Sequence, residues 1–244
     1  MPAASLIVAA GGSGRRFAEA GGRTALRPPL TKAFALLAGR PVLAHTLERF
    51  AAVPNIAEAV VAVPEPALAE ARRLFGAAFG ADRPLKFVPG GLERPDSVSR
   101  ALAATDPTTE LVIVHDAVRP LIRRAIIEEA MRVAIERGAA VVGWAVDHTV
   151  KRVRNGRTVE ATVSRQDLWL AQTPQVFRRE VIAHAYAARA NLVGQITDDA
   201  QLVEAAGQEV VMVPGDVCNV KITTPEDLRV CEMLLAAGWP GAGA

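Results

Sequence analysis

Ser5-Leu6-Ile7-Val8-Ala9-Ala10-Gly11-Gly12-Ser13-Gly14-Arg15-Arg16 reads as a short buried strand running into a glycine-rich turn and two arginines. A brief apolar run closed by a turn fits a strand covered on both faces. Glycines let backbone N–H groups approach phosphate oxygens with no side chain in the way. The two arginines add charge and forked donors. An ordinary strand-to-helix turn fits the same residues. The pattern is not GxxxxGK[ST], which excludes a P-loop, and Gly12-x-Gly14 lacks the third glycine of the dinucleotide fingerprint.

Strands and helices alternate outward from this stretch. Strands are expected at residues 5–10, 59–63, 85–88, 111–115, 139–145 and 209–213. Helices are expected at 41–53, 67–79, 97–104, 123–137, 178–190, 197–206 and 225–235, the last with Thr224 as N-cap and Pro225 at its first position. This alternation predicts an α/β fold with a mostly parallel sheet covered on both faces. Residues 149–153 and 158–163 break the rhythm. They flank Asn155-Gly156, a strong local hairpin signal, and predict a projecting two-stranded arm. Such an arm cannot bury both faces alone, so it is expected to pack on another subunit. The Gly/Ala/Pro-rich tail, 238–244, is expected to be disordered.

Composition narrows the classes. Half of the 244 residues are hydrophobic, enough for a substantial core. A net charge of +2 carries no nucleic-acid footprint. No apolar run approaches the roughly 20 residues needed to span a bilayer, and residues 5–10 lack the flanks of a secretory signal. Cys218 and Cys231 form no CxxC pair, so a cytoplasmic location is the default expectation. Four lysines stand against 24 arginines. Where arginine is so favoured, Lys32, Lys86, Lys151 and Lys221 become candidates for roles that need a compact ammonium.

In open α/β sheets, ligands bind at the carboxyl ends of the strands. Polar clusters at 11–16, 90–97 and 115–120 all fall there. Ala9-Ala10-Gly11-Gly12-Ser13-Gly14-Arg15-Arg16 with a later lysine resembles the nucleotidyltransferases that activate sugars and polyols. Four further blocks resemble the 2-C-methyl-D-erythritol 4-phosphate cytidylyltransferases of the non-mevalonate isoprenoid pathway: Gly90-Gly91-Leu92-Glu93-Arg94-Pro95-Asp96-Ser97-Val98, Val114-His115-Asp116-Ala117-Val118-Arg119-Pro120, the run from Thr162 to Gln175, and the run from Asn219 to Leu228. The blocks appear in family order across about residues 5–235.

The resemblance implies a Rossmann-like fold and a single nucleotidyltransferase domain over 1–244, with a dimerisation arm at about 146–165. It implies transfer of a cytidylyl group from CTP to a polyol phosphate, with Mg2+ held largely by the CTP phosphates. Gly11, Gly12, Gly14 and Arg15 fall in the nucleotide-binding turn. Arg16 and Lys32 match the basic pair on the triphosphate. Gly90, Gly91 and Ser97 match positions that hold the cytosine, with Ala9, Ala10 and Ala117. Arg94 is placed for recognition or for bracing the loop, and an ion pair with Asp96 is its structural alternative. Asp116 suits either magnesium or the ribose. Arg119 binds substrate or holds its loop, and His115 is read as structural. Thr149, Arg165, Thr197 and Lys221 match positions on the acceptor phosphate. Arg16, Lys32, Arg165 and Lys221 form the catalytic set. Thr149 and Arg165 reach across a homodimer in the family, so the site is expected to be composite.

Three features depart from the family pattern. Fifteen residues separate Arg16 from Lys32, and the lysine motif reads Thr31-Lys32-Ala33-Phe34. The extra 18–30 segment is either a mobile lid or slack. Ser164 stands where an Asp is usual, and Leu92 where a polar residue is common. Competing readings are a ribitol-5-phosphate cytidylyltransferase, a dinucleotide-binding oxidoreductase with Glu65 as its ribose carboxylate, and an inactive nucleotide-binding module. Leu168-Trp169 followed by Ala171-Gln172-Thr173-Pro174-Gln175 favours methylerythritol over ribitol phosphate. Some family members are fused to a cyclase, for which no room is expected after the last helix.

Overall fold

The computed structural model describes residues 1–12, 17, 31–76, 78–80, 82–191 and 195–240. Gly14, Arg15, Arg16 and the 18–30 segment, to which the sequence assigns roles, lie outside them. In β1 (Ala4–Ala9), Leu6 and Val8 enter one apolar cluster and Ile7 the other. That alternation buries the strand on both faces of its sheet. Two short strands, β2 (Leu36–Leu37) and β3 (Arg40–Pro41), pair ahead of α1 (Val42–Ala51). Then come β4 (Ile56–Val63), α2 (Leu68–Phe75), β5 (Leu85–Pro89), α3 (Arg94–Ala103), β6 (Leu111–Asp116), α4 (Arg124–Arg137) and β7 (Ala139–Ala145). The arm follows as β8 (Val150–Arg154) and β9 (Thr158–Val163). The chain closes with β10 (Trp169–Arg178), α5 (Arg179–Ala187), α6 (Asp199–Ala205), β11 (Val211–Pro214) and α7 (Pro225–Ala236).

Seven strands form one sheet in the order β11-β7-β10-β6-β1-β4-β5. All neighbours run parallel except β10, which is antiparallel to both β6 and β7. Strand β10 is absent from the sequence reading because Pro174 argues against a central strand. The structure accommodates it at a register shift between Ala171 and Gln175, where the β7 ladder is interrupted. The helix expected over 67–79 is also shorter. A 3-10 turn (Glu65–Ala67) precedes α2, which stops at Phe75 before Gly76.

The hairpin turn is as the sequence predicts. Asn155 and Gly156 have φ of 49° and 70°, the left-handed region that a tight two-residue hairpin turn demands. Among the described residues the two arm strands pair only with each other, and Val153 and Val159 are about half exposed. Thr224 accepts a hydrogen bond from Asp227 N–H and caps α7 as expected. The expectation of disorder over 238–244 fails for its first part. Trp239 N–H donates to Leu234 O at 2.9 Å, and the Arg123 guanidinium lies 5.3 Å from the Trp239 ring centre. Residues 241–244 lie outside the described residues. Among the described residues, no helix is long and apolar enough to cross a membrane.

Candidate active site

The loops after β1, β5 and β6 meet because β6, β1, β4 and β5 lie side by side with their carboxyl ends on one edge. Between them opens a cleft of about 320 Å3, walled by Ala10, Gly12, Gly91, Asp116, Lys32 and Lys221 among others. Ala9, Gly11, Arg94, Ser97 and Ala117 also line it. The glycines divide the work. A Cβ on Gly11 or on Gly90 would come within 3.1 Å of Ser97 Oγ, and one on Gly91 would overlap Asp96. These three let loops approach one another. Among the described residues, nothing lies within 4 Å of the Cβ position of Gly12, so its backbone faces open space. Ser97 is buried. Its hydroxyl accepts from Gly91 N–H at 2.9 Å and donates to Glu93 O at 3.2 Å, so it braces the turn into α3.

Lys32 reaches the cleft despite the long approach from the first turn. It opens a 3-10 turn (Lys32–Phe34) whose Ala33 and Phe34 are buried. Thr31 Oγ1 donates to Ala10 O at 3.4 Å and ties this segment to the end of β1. The usual distance along the chain is therefore not needed to bring the lysine home.

Asp116, at the end of β6, is the centre of charge. Its Oδ2 lies 3.0 Å from Lys221 Nζ and 3.1 Å from Arg119 Nε, and its Oδ1 lies 3.9 Å from Arg94 Nε. Burial alone would raise its pKa, but Lys221, Arg119 and Arg94 outweigh it and hold the carboxyl well below the usual range. Arg119 also donates from Nη1 to Asn219 O at 2.8 Å. Asn219 Nδ2 in turn donates to Gln172 Oε1 and Thr173 O. These bonds fasten the Lys221 loop to β10. Arg119 holds this loop and also lines the second cleft described below, so its geometry fits both readings of the residue.

Asp116 N–H donates to Thr173 Oγ1 at 3.1 Å, and Thr173 donates to His115 Nδ1 at 3.0 Å. His115 Nε2–H then donates to Arg119 O at 3.1 Å. His115 is fully buried, and burial pushes its pKa down from 6.5 to about 4, so it is a neutral structural group. Its linkage to stability has a definite sign. Between pH 6.5 and 4 the unfolded chain takes up a proton here that the folded chain refuses. Stability present above about pH 6.5 therefore falls by about 3 kcal/mol on acidification to pH 4. Denaturation curves across this window should show the loss, and His115→Asn should reduce it. An equal slope in both proteins would contradict the assignment.

A second cleft of about 210 Å3 adjoins the first and shares Arg94, Asp116 and Lys221 with it. Thr197 lies on its far side, where its N–H and hydroxyl both donate to Gln201 Oε1 at 2.7 and 3.1 Å. Arg94 does not pair with Asp96. Its Nη1 lies 2.7 Å from the buried Asp199, while Asp96 pairs with Arg189 at 2.8 Å. Asp96 is committed because it also accepts Glu93 N–H at the start of α3. Thr149 and Arg165 are exposed at the base of the arm, and neither is among the described residues that line these two clefts. Arg165 donates instead to Asp147 O.

Among the described residues, no group of three or more His, Cys, Asp or Glu could hold a metal. Asp116 is a single carboxylate with Oδ2 already held by two cations. The donor set does not fit a resident metal cage.

Several site residues carried no assigned role in the sequence reading. Gln172, Thr173, Gln175 and Asn219 sit inside quoted blocks, but nothing in their spacing reveals that Gln172, Thr173 and Asn219 tie β10 to the Lys221 loop while Gln175 ties it to the start of α6. Asp199 follows Asp198 at the start of α6, and a helix-start acidic pair reads as capping. Asp198 does cap, accepting Gln201 N–H at 3.0 Å.

The family model described as 2-C-methyl-D-erythritol 4-phosphate cytidylyltransferase matches residues 4–237. The protein of that name from Geotalea uraniireducens (strain Rf4) is 39% identical over 233 residues, covering 94% of this chain and 95% of the relative. The crystal structure of 4-diphosphocytidyl-2C-methyl-D-erythritol synthase from Anaerococcus prevotii DSM 20548 matches with TM-score 0.80 and 27% identity, covering 96% of this chain and 99% of that one. The 2-C-methyl-D-erythritol 4-phosphate cytidylyltransferase structure from Thermus thermophilus gives TM-score 0.74 and 32% identity, with coverage of 97% and 100%. The Rossmann-like sheet, the adjoining clefts and these likenesses agree: the chain belongs to the 2-C-methyl-D-erythritol 4-phosphate cytidylyltransferase family.

Proposed function

We propose that this protein transfers the cytidylyl group of CTP to 2-C-methyl-D-erythritol 4-phosphate, giving 4-diphosphocytidyl-2-C-methyl-D-erythritol and pyrophosphate. One observation carries the reading furthest: two clefts share a wall made of Arg94, Asp116 and Lys221. A nucleotide in the first and a phosphate in the second would meet at that wall. An acceptor phosphate oxygen attacks the α-phosphorus, a P–O bond forms, and the bond to the β-phosphate oxygen breaks. The nucleophile is already anionic near pH 7, so no general base is required. Catalysis is positioning plus neutralisation of charge.

Small residues and backbone at Ala9, Ala10, Gly91 and Ala117 suit a pyrimidine. Lys32, with Arg16, neutralises the triphosphate and the departing pyrophosphate. Lys221 is held by Asp116 at the wall, where equatorial oxygens gain charge. Magnesium enters as part of the CTP substrate, carried by its phosphates, with Asp116 as a nearby carboxylate. In the second cleft, Thr197 and Lys221 take the acceptor phosphate. Thr149 of the partner subunit and Arg165 of the partner subunit complete it in a homodimer joined through the arm. That assembly would account for their absence from the walls of these two clefts and for the exposed Val153, Val159 and Leu170. The location is cytoplasmic, in keeping with two free thiols.

The acceptor is tested by comparing kcat/KM for methylerythritol phosphate and ribitol 5-phosphate with CTP. Higher kcat/KM with methylerythritol phosphate is expected. Higher kcat/KM with ribitol phosphate would overturn the acceptor while keeping cytidylyl transfer.

A further inference from the structure

Arg94 is the residue whose surroundings the proposed mechanism leaves unexplained. It opens α3 and lines both clefts. Its guanidinium lies between two carboxylates that belong to different parts of the fold. Asp116 comes from the end of β6 and Asp199 from the first turn of α6. Asp199 is itself fully buried and lines neither cleft, so it cannot touch a substrate.

Asp199 is also firmly held. Its Oδ1 accepts from Tyr186 OH at 2.5 Å, and its N–H donates to Gln175 Oε1 at 3.0 Å. Burial, then the Asp199 charge, pushes the Tyr186 pKa up, so the phenol stays protonated and remains a donor. For Arg94, burial would lower the pKa, but Asp199 and then Asp116 more than offset it. The pairing to Asp199 at 2.7 Å is much closer than the 3.9 Å to Asp116. Without Asp199, the carboxylate left beside Arg94 among the described residues is Asp116. Arg94 would then close on the carboxylate that already holds Lys221 and Arg119.

We infer that Asp199, braced by Tyr186, is a positioning residue that draws Arg94 away from Asp116 and keeps its guanidinium on the wall where the transferred phosphate passes. Asp199 thus protects two arrangements at once, the aim of Arg94 and the Lys221–Asp116 pair. This inference rests on the proposed cytidylyl transfer.

The test is a double-mutant cycle on the full-length enzyme, with CTP, methylerythritol phosphate and magnesium. Asp199→Asn should lower kcat by about 10- to 100-fold, as expected for a misplaced catalytic group, with a smaller change in KM for CTP. Arg94→Gln should lower kcat as well. In the Arg94→Gln background, Asp199→Asn should cost no further kcat. Tyr186→Phe keeps the ion pair but removes one brace. It should give a smaller loss that also disappears in the Arg94→Gln background, and it serves if Asp199→Asn fails to fold. A purely structural role predicts lower melting temperatures with kcat per folded site unchanged, or losses that multiply with Arg94→Gln; either would overturn the inference. Wild-type turnover is the separate check. A wild type that releases no pyrophosphate contradicts the proposed function and this inference together. An active wild type matched by Asp199→Asn and Tyr186→Phe contradicts this inference alone.

Discussion

Lys32→Ala is expected to lower kcat by about 10²- to 10³-fold, the scale for losing one preorganised group at developing charge. The lysine lines the first cleft from a turn anchored by buried Ala33 and Phe34. Turnover is to be compared per folded site, so that any change in stability is separated from the loss of the charge. Lys32→Arg should rescue only in part, because a planar guanidinium does not reproduce a compact ammonium. Pyrophosphate release under saturating CTP checks both variants. A wild-type rate in Lys32→Ala would remove the residue from transition-state stabilisation.

Asp116→Asn should damage both stability and activity. The carboxylate is buried among Lys221, Arg119 and Arg94, and it balances all three. The neutral amide leaves those cations facing one another. Removing one partner of a buried pair typically costs about 3–5 kcal/mol. Lys221 would also lose the group that holds it at the shared wall, so kcat should fall even in the folded fraction. Urea denaturation followed by turnover per folded site separates the two effects. Unchanged stability would contradict the central place given to this charge cluster. The window is distinct from that of His115. Asp116 is held ionised in the folded state, so its contribution is present above about pH 4 and is lost only below it.

Local chemistry made much of the fold legible. Strand β7 appears at the residues expected from its apolar run, and α7 starts where Thr224 and Pro225 say it should. Asn155-Gly156 marks the arm without any tertiary information. Strand β10 was hidden because Pro174 breaks the local signal, and only the neighbouring strands make a bulge there tolerable. The scarcity of lysine was partly informative. Lys32 and Lys221 line the cleft, whereas Lys86 pairs with Glu58 at 2.7 Å and Lys151 donates to Thr162 on the exposed arm.

The site was legible as a set of blocks, but not as a network. Glycines 11, 12, 90 and 91 all look like ligand cradles in sequence, yet of these four only Gly12 has a Cβ direction left open by the described residues. The others are small because loops touch. Asp199 has a helix-start signature and a buried, charge-holding position, and its burial follows from the packing of α6 beside α5 and β10. No local pattern encodes that placement.

The most direct measurement is phosphorus NMR of the wild-type enzyme with CTP, 2-C-methyl-D-erythritol 4-phosphate and magnesium. The predicted outcome is stoichiometric pyrophosphate together with a pair of coupled diphosphate resonances from the joined product. Orthophosphate with CDP, or unchanged CTP, would contradict cytidylyl transfer at the wall shared by the two clefts.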